Sequence, residues 1–222
     1  MDRHPRHCDE MLEDLRRRLL QMAALAESMI DQAIVELIQR NEELAGPILE
    51  AERQVNQLQM DIDDVAMKTL ATQQPVAQDL RFLVAATRIN GELERVGDLA
   101  INITQCVRTL AKQPPLKPLV DIPRMAELSR QMVRQSIEAF TTGDELLAQR
   151  VIMADDQVDA LKDQVFRELL TYMMADPASV ERAMALILIS RHLERVGDHA
   201  TNIAQDVIYM VRGRDVRHPK RE

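Results

Sequence analysis

Apolar side chains recur at spacings of three and four from Leu12 through Leu15, Leu19, Met22, Ala26, Met29, Ala33 and Leu37, the signature of a helix with one buried face. The pattern predicts a first helix over residues 8–40. Asn41, followed by Glu42 and Glu43, reads as the N-cap and acidic first turn of a second helix, where carboxylates complement the helix dipole. Its inner face carries Val55, Leu58, Ile62 and Val65, its flank Glu52, Asn56 and Asp63, and Pro47 is expected to bend its early turns. Gln73, Gln74 and Pro75 end it, and a third helix runs on to Lys112. Pro114, Pro115, Pro118 and Pro123 then interrupt the helical pattern. A fourth helix starts near Pro123 and stops at Thr142-Gly143-Asp144, where glycine suits a left-handed C′ position and aspartate caps the fifth. The fifth turns Val158, Leu161 and Val165 inward, and Asp176-Pro177 opens the sixth. After Gly213 the polar, basic stretch RDVRHPKRE reads as a solvated end.

The third and sixth helices share a segment. Residues 93–103 read LERVGDLAINI and residues 193–203 read LERVGDHATNI, identical except at Leu99/His199 and Ile101/Thr201. The likeness extends further, since Met132 to Asp155 aligns with Met29 to Glu52 at an offset of 103. Two similar units of three helices are therefore expected, one on each side of the prolines. Within the repeat, Leu93, Val96, Ala100 and Ile103 form an ordinary core stripe. Glu94 and Asp98 stand four apart on its flank, a like-charge spacing that costs about 0.2–0.5 kcal/mol, and a mid-helix glycine such as Gly97 costs about 1 kcal/mol relative to alanine. Both choices recur at Glu194, Gly197 and Asp198, and broken local rules are expected at functional or close-packed sites. A plainer account is that Arg95 and Arg195 neutralise the aspartates, that the glycines admit a neighbouring helix, and that the repeat is a residue of duplication. Against it, most of the rest of the chain has diverged between the halves.

Composition narrows the functional classes. Twenty-eight Lys and Arg against 36 Asp and Glu give a net charge of −8, with two Tyr, three Phe and no Trp. Such a chain lacks the basic surface and stacking side chains of a nucleic-acid binder. Cys8 and Cys106 have no ligand-like spacing and read as free thiols, and neither a signal peptide nor a membrane span is discernible, so a cytoplasmic protein is expected. In each half one helix offers Glu94 and Asp98, or Glu194 and Asp198, and a neighbour offers Glu52 and Asn56, or Asp155 and Asp159. Oxygen donors converging in a helical bundle suit hard cations such as Mg²⁺, Mn²⁺ or ferric iron. No Glu-x-x-His pair is present, which argues against a ferritin-like di-iron oxidase, and His199 reads as a surface or structural histidine. No phosphate-cradling glycine loop or nucleophile–base pair stands out, so catalysis is the less favoured class, although acid–base work by the carboxylates stays open.

The duplicated LERVGD segment, QQPVAQDLR at residues 73–81 and LLTYMMADP at residues 169–177 together resemble the PhoU family of phosphate-signalling regulators over nearly the whole chain. The resemblance implies an all-α fold of two tandem three-helix bundles related by a pseudo-twofold, here residues 8–112 and 123–213, with a linker at 113–122 and a tail at 214–222. It also implies metal binding, as iron clusters or as Zn, Mn or Mg ions, at Glu94, Asp98, Glu194, Asp198, Asp155 and Asp159. Glu52-x-x-x-Asn56 departs from the family's acidic pair by an amide, which weakens the first site. By the same resemblance the chain is a non-enzymatic, homodimeric negative regulator of phosphate uptake, linking the ATPase subunit of an ABC phosphate transporter to a sensor histidine kinase. A rival reading is a carboxylate-bridged metal oxidase or metal store, and a third is a purely structural helical module.

Overall fold

The structure is a computed structural model that describes residues 5–40 and 45–214. Among those residues six α-helices and one 3-10 turn make up the fold, with no strand: α1 Pro5–Gln39, α2 Ala45–Gln73, α3 Gln78–Ala111, α4 Asp121–Thr142, α5 Glu145–Ala175 and α6 Val180–Arg212, with the 3-10 turn Pro177–Ser179 leading into α6. Asn41, Glu42, Glu43 and residues 215–222 lie outside the described residues, so the cap read at Asn41 and most of the basic tail do too.

The punctuation follows local chemistry. Gly143 and Gly213 close α4 and α6 at φ 68° and 67°, the left-handed conformation that costs glycine least. The Asp144 carboxylate accepts the Leu147 N–H at 3.0 Å and caps α5, and Asp176 accepts from Ala178 ahead of α6. α4 begins two residues before Pro123. Pro123 and Pro47 both stand in a first turn, where the missing N–H forfeits no intrahelical bond. That removes the lost hydrogen bond as a reason for α2 to bend.

α1, α2 and α3 pack together, as do α4, α5 and α6, and the halves join like to like, α3 on α6 and α1 on α4. Across the α3–α6 seam Arg81 reaches Met210, Arg88 reaches Asp206, and Glu92 reaches His199. Rising numbers on one helix meet falling numbers on the other, so the two run antiparallel. One continuous core results, running from Leu15 and Met29 in α1 through Ile89, Leu93 and Ile103 to Leu193 and Ile203. Phe82 of α3 and Phe140 of α4 stack across the halves with ring centroids 5.1 Å apart. Arg40, just after α1, donates to the carbonyls of Leu110 at the end of α3 and of Gln113 in the linker, and so pins the start of the linker.

Unfolding in urea should find Phe140→Ala destabilised by about 3–5 kcal/mol, since the ring is buried and stacked. A Cβ at Gly91 would touch nothing within 4 Å, whereas one at Gly197 would stand 3.2 Å from Asp155 Oδ1. Gly91→Ala should therefore gain about 0.5–1 kcal/mol from helix propensity. Gly197→Ala should lose that gain by displacing the carboxylate.

Candidate functional site

The sixth helix approaches α5 closely because Gly197 has no side chain, and the space is taken by the Asp155 carboxylate. Asp155 and Asp159 of α5 thus face Glu194 and Asp198 of α6. Burial, and then the charges of Asp198, Asp159 and Glu194, push the Asp155 carboxyl up to about 6. Burial and the same neighbours also raise Asp198. These four acids form one electrostatic group, as their spacing predicts.

Lys162 was not anticipated among them. Its ammonium donates to Asp159 Oδ1 at 2.9 Å and to Glu194 Oε1 at 3.0 Å, and those two bonds hold it more firmly protonated than an ordinary lysine. A built-in cation therefore occupies half of this cluster. The available signal was its position three residues after Asp159, the spacing of an intrahelical ion pair.

The first half is arranged differently. Asn56 Nδ2 donates to Glu52 Oε1 at 2.9 Å, so the amide that breaks the acidic pair ties up the remaining carboxylate. Burial and the charge of Asp98 raise Glu94, Arg95 opposes them, and Glu52 adds to the repulsion. The structure accordingly gathers Glu52, Glu94 and Asp98, with Asn56 attached through Glu52. Gln59 stands where the second half has Lys162. Gly97 is less constrained than its counterpart, for a Cβ there would meet Val55 Cγ1 at an ordinary 3.4 Å.

Among the described residues neither Arg95 nor Arg195 forms an ion pair with Asp98 or Asp198; the close partner in this region is Lys162. The simple neutralisation account of the repeated acids is thereby corrected. Among the same residues no three Asp, Glu, His or Cys side chains stand close enough together to hold a metal ion as they lie. The donor set is all oxygen and suits a hard cation in kind, while its convergence requires the side chains to turn.

A second polar group, not foreseen, lies on the seam. Glu92 Oε2 accepts from Asn202 Nδ2 at 3.1 Å and lies 2.6 Å from His199 Nδ1. Burial alone would raise Glu92, but these two hydrogen bonds outweigh it and hold the carboxyl low. His199 is thus tied to Glu92 across the seam. One turn away Arg88 donates to the buried Asp206 at 3.0 Å and lies over the Tyr209 ring. By the offset of 100, the mates of Glu92–His199 and Arg88–Asp206 are His192–Leu99 and Leu188–Cys106. The polar pairs therefore exist on one side of the seam only.

The description of the PhoU domain matches residues 19–107 and 122–207, one match for each half. A phosphate-specific transport system accessory protein PhoU homolog of Aquifex aeolicus is 41% identical over 207 residues, covering 93% of this chain and 94% of that protein. One from Pseudomonas putida is 38% identical over 208 residues, covering 93% and 81%. The crystal structure of PhoU from Pseudomonas aeruginosa superposes with a TM-score of 0.89 at 36% identity over 93% of this chain and 99% of that one. The phosphate transport system regulatory protein PhoU from Streptococcus pneumoniae does so at 0.86 and 25% identity, over 95% and 100%. With both repeats matched and the fold shared along nearly its whole length, the chain belongs to the PhoU family.

Proposed function

We propose that this chain regulates phosphate transport as an accessory protein of a phosphate-specific transport system, acting by contact. The observation that supports the reading is the likeness to proteins named for that role, which runs through both halves and over most of each partner's length. The finer reading is a negative regulator that links the transporter's ATPase subunit to a sensor histidine kinase. Among the described residues no helix is long and apolar enough to cross a membrane, so contact with a transporter would be made through its soluble parts.

Metal binding belongs to the same proposal. In the second half Asp155, Asp159, Glu194 and Asp198 would hold a hard cation, which would offset the burial and mutual repulsion that now raise Asp155. Lys162 would have to release Asp159 and Glu194 to admit it. In the first half Glu52, Glu94 and Asp98 would act with the Asn56 amide, a weaker set for a hard cation by one charge. Iron, zinc, manganese and magnesium are the ions to test.

Cells lacking this protein should keep a phosphate-starvation reporter active in phosphate-rich medium, and a reporter that still shuts off would overturn the regulatory reading. Titrated with Fe³⁺, Mn²⁺ or Zn²⁺, the purified chain should bind saturably. Glu194→Ala with Asp198→Ala should weaken that binding by roughly tenfold or more, and Lys162→Met should strengthen it, on the scale seen when groups around a metal site are altered. Asp155 titrates higher in the folded chain than the ordinary 3.8. Its contribution to stability is therefore fully present below about pH 4 and is lost as pH rises through about 6. In chelator, Asp155→Asn should melt above the parent at pH 7.5, and the difference should vanish at pH 4.

A further inference from the structure

Between residues 181 and 195 the exposed positions of α6 are Glu181, Met184, Leu188, Arg191 and Arg195 and no others. They recur at alternating spacings of three and four and so form one narrow ridge, the spacing by which two helices seam together. The opposite face of α6 packs on α4, where Ser129 donates to the Leu193 carbonyl at 2.9 Å, and α3 and α5 flank it. The ridge therefore turns outward. Its apolar middle is uncovered, for Met184 and Leu188 keep 45% and 39% of their surface. Phe166 and Leu170 of α5 stand four and eight residues past Lys162, on the flank from which Lys162 reaches Glu194, and are 50% and 41% exposed. Apolar surface shared by two adjacent helices in this way marks an interaction site.

The two ends of the ridge carry opposite charges. Glu181 accepts from the neutral Gln113 amide at 2.8 Å and has no cationic partner among the described residues. Arg191 and Arg195 form no ion pair among the same residues. Burial, and then the charges of Arg195 and Arg191, hold His192 below its ordinary value, as expected beside cations that nothing neutralises. Glu181 and Arg195 stand fourteen residues apart with Leu188 midway, a separation of about 21 Å along a helix. A second ridge laid antiparallel across the first, Leu188 on Leu188, brings Glu181 of each copy to Arg195 of the other. The stem of Arg191 then covers Met184 of the opposite copy.

The other half offers no such match. By the offset of 100 the equivalent positions of α3 are Arg81, Val84, Arg88, Gly91 and Arg95, basic at both ends and in the middle. Arg81 and Arg88 are also already committed to Met210 and Asp206. The self-complementary pattern is confined to the second half.

We propose that the outward ridge of α6, widened by Phe166 and Leu170, is a two-fold interface that takes a second copy of this chain, with Glu181 and Arg195 paired reciprocally across it. A stable interface of this kind buries about 800 Å² on each copy, and the two α5 residues add to what one ridge can bury. Because this face of α6 is turned outward, the union of α3 with α6 inside each chain is untouched. The inference stands independently of the regulatory reading and of metal.

Sedimentation velocity of the full chain in chelator should show a monomer–dimer equilibrium with a dissociation constant below about 100 μM. Glu181→Arg alone and Arg195→Glu alone should each weaken the dimer by roughly tenfold or more, because each sets like charges against one another twice. An equimolar mixture of these two variants should dimerise as the parent does, since every facing pair is then opposite in sign. Thermal melts of each variant control for folding. On a Cys8→Ser, Cys106→Ser background, a short bis-maleimide should join Leu188→Cys into dimers and leave Met153→Cys, exposed elsewhere on α5, monomeric. A parent that stays monomeric up to about 100 μM, well-folded single variants that dimerise undiminished, a mixture no tighter than either variant alone, or equal cross-linking at position 153 would overturn the assignment.

Discussion

The contact on which this architecture depends is the burial of α3 against α6. Each of these helices packs on its own two neighbours and also on the other, so apolar or small residues must appear on more than one face. That is why Ala85, Ala86 and Leu99 are buried alongside the expected stripe of Leu93, Val96, Ala100 and Ile103. A helix with a single buried face could carry the first half alone, but it could not seal two halves into one core. Core demand from several directions also explains part of the repeated segment's persistence, since most changes there would disturb two packings at once.

The close approach of these helices also withdraws acids from water. Carboxylates on the flanks of α3, α5 and α6 are half withdrawn from water and sit beside one another, and both burial and repulsion oppose their ionisation. The halves compensate differently. An ammonium enters the second cluster through Lys162, while the first has one acid fewer and binds its amide to Glu52. The same ancestral layout thus carries two charge states, four acids with one base and three acids with an amide. A cation arriving at either place would meet different competition.

Much of this was legible in the residues. Periodicity located six helices, and the Gly143-Asp144 junction was readable because a left-handed glycine and a side-chain cap are local devices. Helix beginnings were less so: α1 reaches back to Pro5 and α4 to Asp121, since proline in a first turn starts a helix as readily as it stops one. The grouping of Asp155, Asp159, Glu194 and Asp198 followed from spacing within two adjacent helices. Lys162 escaped because a basic residue beside an acid is common on any exposed face. The Glu92–His199 and Arg88–Asp206 contacts were hidden for a different reason, since they join positions more than 100 residues apart and depend on which helices pair and in which direction. Only the antiparallel seam makes the substitutions at 92, 99, 192 and 199 intelligible as one arrangement.

That one-sided seam has a bearing on how the halves choose each other. Were two first halves to associate through α3 alone, each half-buried Glu92 would stand opposite Leu99 and each Arg88 opposite Cys106, and both would lose their charged partners. Two second halves would set His192 against His199 and Leu188 against Asp206. Only the mixed pairing makes both charged contacts. A duplicated protein whose halves would otherwise be interchangeable has thereby acquired a lock that discourages self-association of like halves and favours the heterologous union within a single chain.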